Sequence, residues 1–389
     1  MRAPGPRRAV LLIGLAVCAV GLSTTLPLPL YVEYARRGGH GAGALALAFA
    51  CYATTAIVTA PLLGPLPDRI GRKPCVLLAV LLAALSSLVL SIAPGLPALA
   101  LARTAQGLAM GCITGAAAAW AAELAGGERE GGRRAAAVIA TATVGSFGIG
   151  GVLTLGALLA WPGMEPPPTY PLHLLFVLLL LWPIACLPET LARPGGAWLR
   201  WPAFPRGTLP TTLAILPGWG VTGTVLTSVP AALAAQGMPL AGAVAVCVMI
   251  LVGVLVQQGL HRLDPRRAVR LGLVVLCAGA GLTLWGAATG RLWPLLLGGG
   301  ITGTASYGFI YLGGLASVAE AAGGDRARAV AGYFVVAHLG FSVVPLAVGF
   351  AVDALGAGAA LGGLWGLVAL SALLLIPAIR RVEVSARSG

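Results

Sequence analysis

A ten-residue stretch, Gly64-Pro65-Leu66-Pro67-Asp68-Arg69-Ile70-Gly71-Arg72-Lys73, combines one acid, three bases and two glycines. Gly64 and Gly71 suit tight turns at helix ends. Asp68 is placed to pair with a neighbouring arginine, or to sit beside a helix N-terminus, where the dipole favours an anion. That is the chemistry of an electrostatic latch. Arg103 and Gln106 lie inside an apolar stretch. An intramembrane arginine costs roughly 2.5–3.5 kcal/mol on insertion scales, so it needs a partner or a wet cavity. Arg103, Gln106, Glu33 and His338 are therefore the candidates for intramembrane and proton-handling roles, Glu33 standing beside Arg36 and Arg37. Glu123, Arg129, Glu189, Glu320, Arg326 and Glu383 follow apolar stretches and form a candidate inner ion-pair network. Pro27 and Pro29 remove helix hydrogen bonds and shape a bend. Tyr31, Tyr307 and Tyr311 are candidates to line a cavity. No nucleotide-binding loop, metal cluster or catalytic triad stands out, so an enzyme is not expected, nor any cofactor or metal. The seven cysteines are odd in number and form no CxxC; most lie in apolar runs and read as core residues.

The elements that position these residues follow from composition. Of 389 residues, 58% are hydrophobic and only 10% charged. A soluble domain carries about 25% charged residues. Mean hydropathy is +0.93. Such a chain has too few charges to cover a water-facing surface, which points to an all-α polytopic membrane protein. Spanning a bilayer takes about 20 apolar residues. Twelve runs reach that length: 9–32, 42–64, 75–93, 97–122, 135–160, 171–188, 209–235, 239–260, 268–288, 292–318, 328–352 and 357–379. The first is too long for a cleaved signal. Trp120, Trp161, Trp285 and Trp293 fall near run ends, as an interfacial belt would require.

With the N-terminus inside, 21 Lys and Arg residues fall on inner segments and 3 on outer loops. Lys and Arg concentrate on the cytoplasmic side of membrane proteins, so both termini are expected in the cytoplasm. The formal net charge of +13 then reflects topology and does not imply nucleic acid. An internal repeat divides the chain. Ala122-Glu123-Leu124-Ala125-Gly126-Gly127-Glu128-Arg129 matches Ala319-Glu320-Ala321-Ala322-Gly323-Gly324-Asp325-Arg326 at six of eight positions. The offset is half the chain. Two six-helix halves are expected, 1–188 and 209–389, joined by an inner linker, 189–208, that lies at the interface. Parallel repeats around a midplane site describe a secondary transporter.

The 64–73 loop resembles the signature G-x-L-A-D-R-x-G-R-K of the major facilitator superfamily. It matches at Gly64, Leu66, Asp68, Arg69, Gly71, Arg72 and Lys73 and departs with Pro67. The resemblance implies that fold over the whole chain, a gating role for this loop on the inner side, and a monomer. The second-half counterpart, His261 to Arg267, is degenerate but basic. Arg103-Thr104-Ala105-Gln106-Gly107 resembles R-x-x-Q-G, associated with proton coupling in drug-exporting members. The Pro27/Pro29 region and the glycine run Gly145 to Gly151 also resemble exporter elements, the latter without its proline. Glu123/Arg129, Glu320/Arg326 and Pro188-Glu189-Thr190 are similar to sugar-porter loop elements. The resemblance implies proton-coupled efflux of drugs or metabolites across a bacterial cytoplasmic membrane, by alternating access. Few intramembrane charges point to a neutral or lipophilic substrate. The alternatives are uptake or facilitated diffusion of a sugar-like metabolite, and a non-transporting membrane sensor on the same fold.

Overall fold

The structure is a computed structural model. It describes residues 5–126, 129–193, 195, 198–257, 259 and 263–388, without the side chains of residues 60, 129 and 384–388. All regular structure among them is helical. In a bilayer every backbone N–H and C=O must be satisfied within the protein, and a helix does this inside one segment. Among the described residues eleven helices are long and apolar enough to cross: α1 (Pro6–Arg37), α2 (Ala42–Leu63), α3 (Arg72–Ile92), α4 (Leu96–Leu124), α5 (Glu130–Ala160), α7 (Leu209–Ala235), α8 (Pro239–Gln257), α9 (Pro265–Thr289), α10 (Leu292–Ala321), α11 (Gly323–Leu355) and α12 (Ala357–Glu383). Between α5 and α7, α6 (Thr169–Ala185) is apolar but shorter. The chain is a multi-pass membrane protein.

Local sequence explains the ends. Pro265 opens α9, where its missing N–H is harmless, and the Asp264 carboxylate accepts from the Arg267 N–H at 2.8 Å. Gly290 ends the same helix in the left-handed region at φ +68°. Two helices are interrupted. In α1 the regular helix stops at Thr25 and resumes at Tyr31, across Pro27 and Pro29. In α10, residues Thr304–Ile310 form a π-helical segment that hydropathy does not show.

By packing, the chain forms two compact units, one of residues 1–28 and 54–200, the other of 29–53 and 201–389. The first has a core of small and β-branched residues, Ala9, Val20, Ala79, Val80, Ala116 and Val177 among them, which lets α1, α3, α4 and α6 approach closely. Trp120 belongs to this core. Its side chain is fully buried and its Nε1–H donates to the Pro188 carbonyl at 3.0 Å, which corrects its expected place in the interfacial belt. Trp161, Trp285 and Trp293 are exposed. The 189–208 linker has no helix among its described residues, and Trp198, Trp201 and Phe204 are exposed. All seven cysteines are free; Cys75, Cys112 and Cys247 are buried, while Cys186 is exposed.

Candidate functional site

The first unit gathers the signature loop. Pro67–Ile70 forms one helical turn, and Gly71 at φ +109° turns the chain into α3. That φ lies in a region L side chains rarely adopt, so the position needs glycine. Asp68 accepts from Arg72 at 2.7 Å and from Arg200 at 3.3 Å. Arg72 reaches on to Glu123 at 3.3 Å, and Glu123 also bonds the Thr190 hydroxyl. Arg69 stacks over Trp198, 3.7 Å from the ring centroid. Lys73 Nζ donates to the Ala185 and Leu187 carbonyls at the end of α6, both at 3.0 Å. Leu66, on the loop, packs against the core and Gly64 precedes its turn.

Glu189 takes a different part from the expected ion pair. Its carboxylate accepts from the backbone N–H groups of Arg72 and Lys73, at 3.1 and 2.9 Å, and so caps the N-terminus of α3. The N–H groups of Thr190 and Leu191 add bonds of 2.8 and 3.0 Å. Burial pushes its pKa up, but the four backbone donors outweigh this and hold it below the usual carboxylate value.

The same unit explains Arg103 and Gln106. Leu26 closes the last hydrogen bond of the first α1 segment, to Leu22. Pro27 has no N–H to offer the Ser23 carbonyl. Gln106 Nε2 takes its place at 2.7 Å and also reaches the Ser86 hydroxyl at 2.7 Å. Arg103 donates to the Thr24 carbonyl at 3.3 Å and to Gln106 Oε1 at 3.0 Å. Both side chains are buried. His173 on α6, which the sequence reasoning missed, lies in the same unit. Its Nε2 sits 2.8 Å from the Ala19 carbonyl and its Nδ1 2.7 Å from the Ser87 hydroxyl. A carbonyl only accepts, so Nε2 carries the proton, and the Ser87 hydroxyl donates to Nδ1 of the neutral ring. A histidine in an apolar run was the available signal.

The second unit holds an aromatic wall. Tyr31 meets Phe49 at 6.3 Å between centroids, and Phe49 meets Phe341 at 4.7 Å. Trp219 on α7 lies 5.3 Å from Phe341, 5.5 Å from His338 and 5.9 Å from Tyr311. Tyr52 on α2 stands 6.0 Å from His338, and Phe334 is 6.1 Å from Tyr311. Trp219, Tyr307, Tyr311, Phe334 and His338 are half-buried. The Trp219 indole N–H is buried and has no hydrogen-bond partner among the described residues. His338 Nδ1 donates to the Phe334 carbonyl at 2.8 Å. The π-helical segment sets Tyr307 and Tyr311 in α10. Gln257 donates to the Tyr307 carbonyl at 2.9 Å, and the Tyr333 hydroxyl lies 3.0 Å from the Ile310 carbonyl.

The remaining acids lie apart from this wall. Glu33 is held by Arg36 and Arg37 at 2.7 and 2.6 Å. Asp353 accepts from the Ala42 and Gly43 N–H groups at 2.9 and 2.8 Å and caps α2. Glu383 pairs with Arg270 at 3.2 Å. Among the described residues Glu320 and Arg326 form no ion pair; Asp325 pairs with Arg328 instead. The Arg129 side chain lies outside the described residues.

The sequence profile described as Major Facilitator Superfamily matches residues 13–289. The chain belongs to the major facilitator superfamily. Its fold is similar to that of the human organic anion transporter MFSD10 (TETRAN), at 18% identity and a TM-score of 0.59, over 96% of this chain and 100% of that one. It is also similar to the nucleoside transporter NupG, at 13% identity and a TM-score of 0.72, over 96% of this chain and 98% of that one. A point mutant of NupG matches at 14% identity and a TM-score of 0.72, over 97% and 99% of the two chains. No curated protein sequence matches it. As a member of this superfamily the chain is a membrane transporter of small molecules rather than an enzyme.

Within this transporter the two sets of polar groups differ in kind. Arg103, Gln106 and His173 bond backbone or hydroxyl groups of neighbouring helices. The wall around Trp219 offers ring faces and a free N–H. Rings attract planar or cationic groups, and an indole N–H needs an acceptor.

Proposed function

We propose that this chain exports neutral or lipophilic, ring-bearing small organic compounds in exchange for protons, by alternating access of two six-helix halves, 1–188 and 209–389. The observation that carries the reading is the aromatic wall of half-buried Trp219, Tyr311, Phe334 and His338 over buried Tyr52 and Phe341, with an indole N–H that has no partner among the described residues. Ring faces stack on a planar substrate, and the N–H selects an acceptor on it. His338 gives the wall a group whose ordinary pKa lies near neutrality, so it is the proton carrier in this scheme. Arg103 and Gln106 serve the transport cycle indirectly, by supporting the α1 bend. Asp68, Arg72 and Glu123 act as the inner latch. The 21:3 distribution of basic residues supports a bacterial cytoplasmic membrane with both termini inside. The chain acts as a monomer.

A second reading has one observation in its favour. NupG is a nucleoside transporter of the same fold. A neutral hydroxylated ring would suit this wall too, and uptake of a nucleoside or sugar would follow.

Everted vesicles with an imposed pH gradient and a fluorescent pH probe separate the readings. Neutral ring-bearing drugs should release protons from native vesicles, and His338→Gln should abolish the release while leaving substrate binding. Flux without proton movement would replace export with uptake or uniport. Binding without any flux would point to a sensor.

A further inference from the structure

We infer that Gln257 and Tyr333 are positioning residues for the substrate surface. They hold the π-helical turn of α10, and through it they set how Tyr311 stands against Trp219 and how wide a ring the wall accepts. The inference rests on the reading of the aromatic wall as that surface.

π-Helical turns are rare and occur frequently at functional sites. The turn at Thr304–Ile310 redirects one backbone N–H. In an α-helix the Tyr311 N–H would meet the Tyr307 carbonyl, four residues back. Here it goes to the Ser306 and Gly308 carbonyls. The Tyr307 carbonyl instead receives Gln257 Nε2 from α8, at 2.9 Å. The Tyr333 hydroxyl, on α11 and fully buried, stands 3.0 Å from the Ile310 carbonyl and 3.2 Å from the Tyr311 carbonyl. Gly314 leaves room for it, since a Cβ there would collide with the hydroxyl. In an apolar interior a carbonyl that loses its helical donor needs another. The two side chains therefore stabilise the widened turn over an ordinary one.

The turn is also registered on the wall. The Ser306 hydroxyl donates to the Gly218 carbonyl at 3.0 Å, and Gly218 directly precedes Trp219. Tyr311 follows the turn at once, its ring centroid 5.9 Å from that of Trp219. Closing the turn into an α-helix would rotate Tyr311 by about 100° relative to the start of α10, the angle of one residue. That rotation would part the two rings and widen the wall. Gln257 and Tyr333 act through Tyr311, not by touching the substrate.

The test labels the full-length chain with fluorotyrosine and reads it by fluorine NMR in detergent. Tyr311→Phe assigns the Tyr311 signal. Gln257→Met keeps the length of the side chain and removes the donor. It should move the Tyr311 signal and leave that of Tyr170, in the first unit, in place. Tyr333→Phe removes only a hydroxyl, so it tests the turn if the first variant fails to fold, and it should move the same signal. Dissociation constants are then compared for two neutral probes, benzamide with a single ring and acridone with fused rings. Acridone should gain on benzamide by about fivefold in either variant, in line with the worth of one hydrogen bond. An unmoved Tyr311 signal in the folded variants, or equal changes for the two probes, would overturn the inference. Failure of the native chain to bind either probe would count against the substrate reading instead, and the Tyr311 signal would still decide the positioning role.

Discussion

Arg103 in the first unit and Trp219 in the second are both polar side chains in an apolar setting, yet their surroundings differ. Arg103 and Gln106 repair the helix ladder that Pro27 breaks, and His173 ties α6 to α1 and α3. Trp219 is half-buried among rings and its N–H is unanswered. A polar group in an apolar interior is costly unless bonded. Where a group bonds the carbonyls and hydroxyls of neighbouring helices, it acts as scaffold. Where it leaves a donor open on a ring-lined wall, the group is free to meet a ligand.

The related copies of the repeat make the same point. Glu123 bonds Arg72 and the Thr190 hydroxyl, whereas its copy Glu320 has no ion pair among the described residues. The copies share sequence but not neighbours, because the full signature loop exists only beside the first.

Variants that break the scaffold should show the largest effects. Gln106→Leu leaves the Ser23 carbonyl and the Ser86 hydroxyl without their donor and takes an acceptor from Arg103. A buried unsatisfied group costs about 1–3 kcal/mol, so the thermal midpoint of the detergent-solubilised protein should fall by several degrees. His173→Leu should cost about 1–3 kcal/mol by the same measurement, since it frees the Ser87 hydroxyl. If either variant melts like the native protein, the scaffold account of these residues is wrong.

Smaller effects sharpen the contrast between the repeat copies. Glu123→Gln should shift the conformational balance, read as cysteine accessibility at positions near the signature loop, while Glu320→Gln should not. Partly exposed pairs contribute only about 0–1 kcal/mol each, so the shift in labelling rate should be several-fold at most. Equal shifts in both variants would erase the distinction.

The smallest effect concerns Glu189, whose folded pKa lies below its unfolded value. Its cap on α3 therefore contributes fully above the unfolded pKa and is lost as pH falls through the folded one. The native midpoint should drop with acidification below about pH 4, near the ordinary Glu pKa. Glu189→Gln should show less of this drop. An identical acid profile in both proteins would remove Glu189 as the cap.

Much of this was legible in the sequence. Hydropathy located the spans, because a bilayer demands long apolar helices. The spacing of Asp68, Gly71 and Arg72 announced the ion pair and the turn, since charge and a positive-φ glycine are local properties. Other features depend on what faces a residue across helices. The Glu189 cap, the burial of Trp120 and the service of Gln106 to Ser23 join residues distant in the chain. The π-helical segment at Thr304–Ile310 depends on backbone geometry, which composition does not show.

The most direct test compares Trp219→Phe with Gln106→Leu in proteoliposomes, measuring transport KM and thermal midpoint on the same preparations. A neutral ring-bearing substrate is the probe. Trp219→Phe keeps the ring and loses the donor, so KM should rise about tenfold, the equivalent of one hydrogen bond worth about 1.4 kcal/mol, with the midpoint unchanged. Gln106→Leu should lower the midpoint and leave the KM of the surviving protein close to native. An unchanged KM in Trp219→Phe would contradict the assignment of the aromatic wall as the substrate surface.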